Sequence, residues 1–170
     1  MRIAKPGENT VEICKALRAG EVVLIPTDTV MGLVCDYYNK EAEKEIFRLK
    51  KRPEDKILSI FVPSVEEAEK VIQINKKQKA FLEKVWPGKV TCVLKKEIGG
   101  FRIPNDEFLL KILKEFSGPL FQTSANISGE EPIGGGLPST VIDLTGDSLK
   151  ILREGAVPEA ELQRIWYMIS

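Results

Sequence analysis

Short β-branched runs interleave with amphipathic helical stretches along this chain, and the order in which they do so most constrains its fold. Strict strand–helix alternation would predict a regular doubly wound parallel sheet. Here strands follow one another, then helices do, which predicts a mixed α/β or α+β domain with a twisted, mostly central sheet and flanking helices. Apolar residues at helical spacing predict helices over 10–19, 41–50, 76–86 and 106–116, and a shorter one opened by Ser64 that carries Ala68, Val71 and Ile72. Asn9 with Glu12 and Ser64 with Glu67 have capping-box spacing, Asp106 is a cap candidate, and Gly20 and Pro87-Gly88 are stop signals. Runs at 21–25, 30–35, 57–62, 90–94, 101–104, 120–123, 140–144 and 149–153 read as strands. With 170 residues and no internal repeat or low-complexity linker, a single domain over 1–170 is expected.

Composition removes several kinds of chemistry. The chain has no histidine, which excludes Ser-His-Asp and Cys-His catalysis and the commonest metal ligand. Cys14, Cys35 and Cys92 are widely spaced and form no zinc pattern, so they read as buried free thiols of a reducing cytoplasm. Lys and Arg total 25, as do Asp and Glu, so there is no global basic field for nucleic acid and any anion site must be local. The N-terminus lacks an apolar signal core, and no run is long enough to cross a bilayer. The expected location is therefore cytoplasmic, with no membrane partner, and the sequon at Asn126-Ile127-Ser128 is coincidental.

Several segments could carry chemistry. Thr123-Ser124-Ala125-Asn126-Ile127-Ser128-Gly129 leaves an apolar strand as a loop of short hydroxyl and amide side chains, either a turn or a wall that holds a ligand near the backbone. Pro26-Thr27-Asp28-Thr29 joins two strands and reads either as a turn capping its own amides or as a ligand loop. Lys50-Lys51-Arg52-Pro53-Glu54-Asp55-Lys56 falls at a helix end. Its cations suit the helix dipole or, equally, a phosphate clamp in which Arg52 offers a fork and Lys50 or Lys56 a point charge. Arg102, inside an apolar strand, needs a carboxylate from protein or ligand. Ser139 and Arg153 stand at two further strand ends, and the run Gly134-Gly135-Gly136 reads either as a mobile loop over a site or, equally, as a plain surface loop. That run is not a P-loop, because no Lys-Ser or Lys-Thr follows it, and GxGxxG is absent.

In this order, these segments resemble the YrdC-like family of threonylcarbamoyl-AMP synthases. The resemblance rests on Pro26-Thr27-Asp28-Thr29-Val30 with Gly32-Leu33, Lys50-Lys51-Arg52-Pro53, Trp86-Pro87-Gly88, Arg102-Ile103-Pro104, residues 123–129, Ser139-Thr140-Val141 and Leu152-Arg153. It covers almost the whole chain. It implies a YrdC/DHBP synthase-like fold with a concave, locally positive face, in a short form without the extra C-terminal domain of longer members. The implied reaction joins L-threonine, bicarbonate or carbon dioxide, and ATP into threonylcarbamoyl-AMP, releasing pyrophosphate, for N6-threonylcarbamoyladenosine formation in tRNA with partner proteins.

By position, Lys50, Arg52, Lys56, Ser124, Asn126 and Arg153 would bind ATP. Lys50 and Arg52 would also stabilise charge on the transferring group. Thr29, Arg102, Gln122 and Ser139 would hold threonine, and Phe61 aligns with a further contact. No metal cage is visible in the sequence, so magnesium would arrive with ATP. Because a carbamate oxygen is already an anion, no strong general base is needed, and Ser124 reads as a binding residue rather than a nucleophile. Met31, Ile57, Lys89, Ile98 and Glu154 depart from the family pattern, which leaves room for a drifted substrate. Two other functions suit the same scaffold: a double-stranded RNA or tRNA-binding module without adenylation activity, and a different adenylate-forming or carbamoyl-handling enzyme.

Overall fold

The structure is a computed structural model that describes residues 1–53, 58–127 and 129–169. In chain order the elements are β1 (Arg2–Ile3), α1 (Thr10–Arg18), β2 (Val23–Ile25), β3 (Gly32–Asp36), α2 (Lys40–Lys50), β4 (Ser59–Phe61), α3 (Val65–Glu69), α4 (Lys76–Val85), β5 (Val90–Lys95), β6 (Gly99–Arg102), α5 (Glu107–Phe116), β7 (Leu120–Ser124), β8 (Thr140–Asp143), β9 (Lys150–Arg153) and α6 (Glu159–Met168). Among the described residues the strands form one sheet in the order β1-β2-β3-β7-β4-β6-β5-β8-β9. It is mixed: β1–β2, β4–β6 and β5–β8 are parallel, and the other neighbours are antiparallel.

Period-two alternation feeds two separate cores. Val34, Phe61 and Leu120 enter one, while their chain neighbours Cys35, Ile60 and Phe121 enter the other. The larger core packs α2, α4 and α6 on one face of the sheet, through Ile46, Phe81, Leu82, Leu162 and Trp166. The smaller packs α1 and α5 on the opposite face, through Ile13, Leu17, Leu109, Ile112 and Leu113. Strand residues of the smaller core come from β2, β3, β4 and β7. Further along that face the sheet opens into a groove lined by Thr91, Val93, Gly100 and Val141. Helices α1 and α5 thus pack over β2, β3, β4 and β7, and the groove lies over β5, β6 and β8 beside them.

Local signals explain most element ends. Asn9, Ser64 and Asp106 accept from the amides of Val11, Glu67 and Leu109. The reciprocal capping box, however, forms at Asn75–Gln78. Helix α3 stops at Glu69, so Val71 and Ile72 pack from the turn that follows rather than from the helix expected there. Strand β6 starts at Gly99 and ends at Arg102, two residues earlier than its apolar run suggests, because Gly99 and Gly100 pair with β5 despite having no side chain to mark them. Two elements had no sequence reading: β1 is only two residues long, and α6 starts at Glu159 after an N-cap, Pro158, that makes no side-chain cap bond. Cys14, Cys35 and Cys92 are buried and free, and burial pushes the Cys35 thiol up to about 12.

Candidate active site

Antiparallel pairing of Gly32 with Ser124 brings the start of β3 and the end of β7 to one edge of the sheet. The segments flanking them, Pro26–Val30 and Ala125–Ile127, therefore meet there. Backbone bonds tie a third segment to both: Ala125 N donates to Met31 O at 2.7 Å, Met31 N to Ile133 O at 3.0 Å, and Ile133 N to Ala125 O at 3.2 Å. Gly136 lies against Thr29, where a Cβ would stand 2.1 Å from the Thr29 carbonyl oxygen. The glycine run thus follows a backbone-bonded residue, Ile133, and packs closely on Thr29 at Gly136.

These segments enclose a cavity of about 280 Å³. Its lining includes Thr29, Lys50, Arg52, Ser59, Arg102, Gln122, Ser124, Asn126, Ser139 and Arg153. Every site residue expected from the sequence lines it except Lys56, which lies outside the described residues with Glu54, Asp55, Ile57 and Ser128. Phe61 lies behind the cavity, in the smaller core.

The first wall is built on Lys50, the last residue of α2. Its side chain runs inward, leaving the residue 3% exposed. Nζ donates to Ser124 O at 2.6 Å and Asn126 Oδ1 at 2.9 Å, with Ser124 Oγ at 3.4 Å. Ser124 Oγ in turn donates to Asn126 Oδ1 at 2.6 Å, and Asn126 Nδ2 donates to Glu130 O. Lys50 therefore shapes the polar loop while keeping a positive charge under it. Burial, with Arg52 beside it, pushes its pKa down to about 8. Left-handed Lys51 ends the helix, and Arg52 follows at the mouth.

The second wall is built on Arg102, which is 2% exposed. Nη1 donates to Asp28 Oδ1 at 2.7 Å and to Gly88 O at 3.2 Å, and Nη2 reaches Thr29 Oγ1 at 3.3 Å. Asp28 Oδ2 also accepts from Asn105 N. The guanidinium stacks over Phe61, 4.8 Å from the ring centroid. The Pro26–Thr29 segment forms the turn that caps its own amides. Thr27 Oγ1 accepts from Thr29 N and donates to Val30 O, while Asp28 and Thr29 turn toward Arg102. The carboxylate that Arg102 requires comes from the protein, and burial lowers its pKa against the opposing pull of Asp28. Trp86-Pro87-Gly88 has a structural part here: it presents Gly88 O to Arg102.

Ser139 and Arg153 close the far side. Arg153 Nη2 donates to Ser139 O at 2.8 Å, and burial followed by the like charge of Arg102 pushes Arg153 down. Ser139 Oγ is 2.8 Å from Thr91 Oγ1. Sequence reading missed Asp28 as the partner of Arg102, and it missed Ser59 and Thr91 altogether. The available signal was a polar residue alternating with buried apolar ones along β4 and β5.

The fold and site together define an α/β domain with a polar cavity at the strand ends of a mixed sheet, with four cations in its lining. The family model described as Sua5_yciO_yrdC, Telomere recombination, matches residues 15–134, and the chain belongs to this family. A threonylcarbamoyl-AMP synthase of Photobacterium profundum is 31% identical over 163 residues, covering 87% of this chain and 87% of that protein. One of Pyrococcus abyssi is 32% identical over 185 residues, covering 88% of this chain and 54% of that protein. The crystal structure of P. abyssi Sua5 complexed with L-threonine aligns with a TM-score of 0.82 at 28% identity, covering 96% of this chain and 60% of that one. The chain thus spans little more than half the length of its P. abyssi relative.

Proposed function

We propose that this protein is an L-threonylcarbamoyladenylate synthase, joining L-threonine, bicarbonate or carbon dioxide, and ATP and releasing pyrophosphate. The observation that carries this reading is convergence. Side chains spread from Thr29 to Arg153 line one cavity, and they supply both the cations a triphosphate needs and the hydroxyl and amide groups an amino acid needs. The names of the relatives support the same activity.

In this reading Lys50, Arg52, Ser124, Asn126 and Arg153 bind the nucleotide, and Thr29, Arg102, Gln122 and Ser139 hold threonine. The threonine nitrogen adds to the carbon of carbon dioxide and gives up a proton to solvent, or adds to the carbon of bicarbonate with loss of water, giving a carbamate in either case. A carbamate oxygen then attacks the α-phosphorus of ATP as the bond to pyrophosphate breaks. The attacking oxygen is an anion, so the chain needs no histidine base at that step. Its own contribution is to hold two substrates in line and to offset developing charge. Lys50 suits that role because it is fixed by neutral oxygens and keeps its charge available to a phosphate. Among the described residues no group of three Asp, Glu or Cys side chains could hold a metal ion, so magnesium enters this reading on the triphosphate that carries it. The product would supply the threonylcarbamoyl group to partner proteins that modify tRNA.

The test is pyrophosphate release by the purified protein. Release from ATP should require threonine and bicarbonate together. Release that ignores either one overturns the proposal, and salt-sensitive RNA binding without nucleotide binding would replace it with an RNA-binding function.

A further inference from the structure

We infer that Thr91, backed by Gly100, is a positioning residue that aims the Ser139 hydroxyl into the amino-acid end of the cavity. Thr91 is 2% exposed on β5, and its Oγ1 lies 2.8 Å from Ser139 Oγ. That contact is the side-chain hydrogen bond of Thr91 among the described residues. A buried hydroxyl carries one proton, and leaving it without an acceptor costs free energy. If Ser139 donated to Thr91, the Thr91 proton would have no acceptor. Thr91 is therefore the donor, and the Ser139 proton is released toward the cavity, where it can meet a carboxylate. Arg153 holds the other end of Ser139 through its carbonyl oxygen.

Gly100 fixes the Thr91 rotamer from behind. A Cβ at Gly100 would stand 2.5 Å from Thr91 Cγ2, while its next neighbour, Val93 Cγ2, would be at an ordinary 3.7 Å. The Thr91 methyl thus occupies the space that a side chain at 100 would take. With the methyl lodged there, the hydroxyl is left on the Ser139 side. Gly100 is not in the left-handed region, so the need for glycine here is one of space alone.

This inference rests on reading Ser139 as a threonine contact, and it makes a steric prediction that does not. Thr91→Val should raise the threonine KM about tenfold, the size expected for one buried hydrogen bond, with the ATP KM within about twofold of the original. Thr91→Ser keeps the hydroxyl and should recover most of that loss. Gly100→Ala should act like Thr91→Val, because the new methyl displaces Cγ2. The pair Thr91→Ser with Gly100→Ala should restore threonine KM to within about threefold, since serine has no Cγ2 to clash.

Thermal unfolding of the same proteins reads the packing alone. Gly100→Ala should lower the midpoint, and adding Thr91→Ser should raise it again. An unchanged threonine KM in Thr91→Val, equal rises in both KM values, or failure of the double variant to recover would overturn the positioning role. If the wild type forms no threonylcarbamoyl adenylate, the proposed function fails, and the unfolding series still decides whether Gly100 and Thr91 are locked together.

Discussion

Lys50 and Arg102 are both buried cations on one cavity, yet the fold treats them in opposite ways. Arg102 meets Asp28 at 2.7 Å, and both side chains are almost fully buried. Lys50 meets neutral oxygens of Ser124 and Asn126, with no carboxylate at ion-pair distance among the described residues. Desolvating a charge is costly in both places. For Arg102 the protein compensates with its own anion, so the group is fixed before any ligand arrives. For Lys50 compensation is incomplete, so its pKa falls, and a bound phosphate can supply what is missing. One wall is therefore a finished structural pair that offers its second nitrogen, and the other is a charge held ready for an anion.

The most severe way to break this contrast is to strand the paired cation. Asp28→Ala leaves Arg102 buried without its counter-charge and should cost about 3–5 kcal/mol in urea unfolding. A loss below about 1 kcal/mol would show that Arg102 does not depend on Asp28. Lys50→Met gives the converse result. No opposite charge is stranded, so its stability cost should be smaller than that of Asp28→Ala. ATP binding should weaken by about 1.5–3 kcal/mol, the range for one charge-assisted hydrogen bond. Calorimetry that finds ATP affinity unchanged would remove Lys50 from the phosphate site.

The mildest probe is pH. The native pKa of Lys50 is lowered from 10.5 to about 8, so between those values the unfolded chain binds more protons than the native one. The Lys50 contribution to stability is therefore least favourable below about pH 8 and rises with pH through that window. ATP affinity should move the other way, falling as the amine loses its charge above about pH 8. Lys50→Met should flatten that affinity profile. Persistence of the fall in the variant would assign it to another group.

The sequence made much of this legible, at the level where local rules operate. Hydrophobic periodicity found α1, α2, α4 and α5 and most strands, because a helix or strand face must repeat to reach a core. Cap residues located helix starts because the orphan amides there need short oxygen-bearing side chains. Elements too short or too glycine-rich to show a period escaped, namely β1 and the first half of β6; α3 ended earlier than its apolar spacing predicts, and α6 escaped because no side-chain cap marks its start. Site residues were legible where several rare side chains recurred in a recognisable order, from Pro26-Thr27-Asp28-Thr29 to Leu152-Arg153.

What the sequence by itself determined is the inventory: a mixed sheet, no histidine, equal numbers of basic and acidic residues, and hydroxyl-rich loops at strand ends. Only the tertiary structure decided which members of that inventory meet. Asp28 and Arg102 are 74 positions apart, as are Lys50 and Ser124, and Thr91 and Ser139 are 48 apart. Such partners are chosen by the strand order β3-β7-β4-β6-β5-β8, which no local period encodes. Whether a buried charge is paired or held ready depends on what the sheet places within 3 Å of it. That is a property of packing, and it separates Arg102 from Lys50 although either looks in the sequence like a cation at the end of an apolar element.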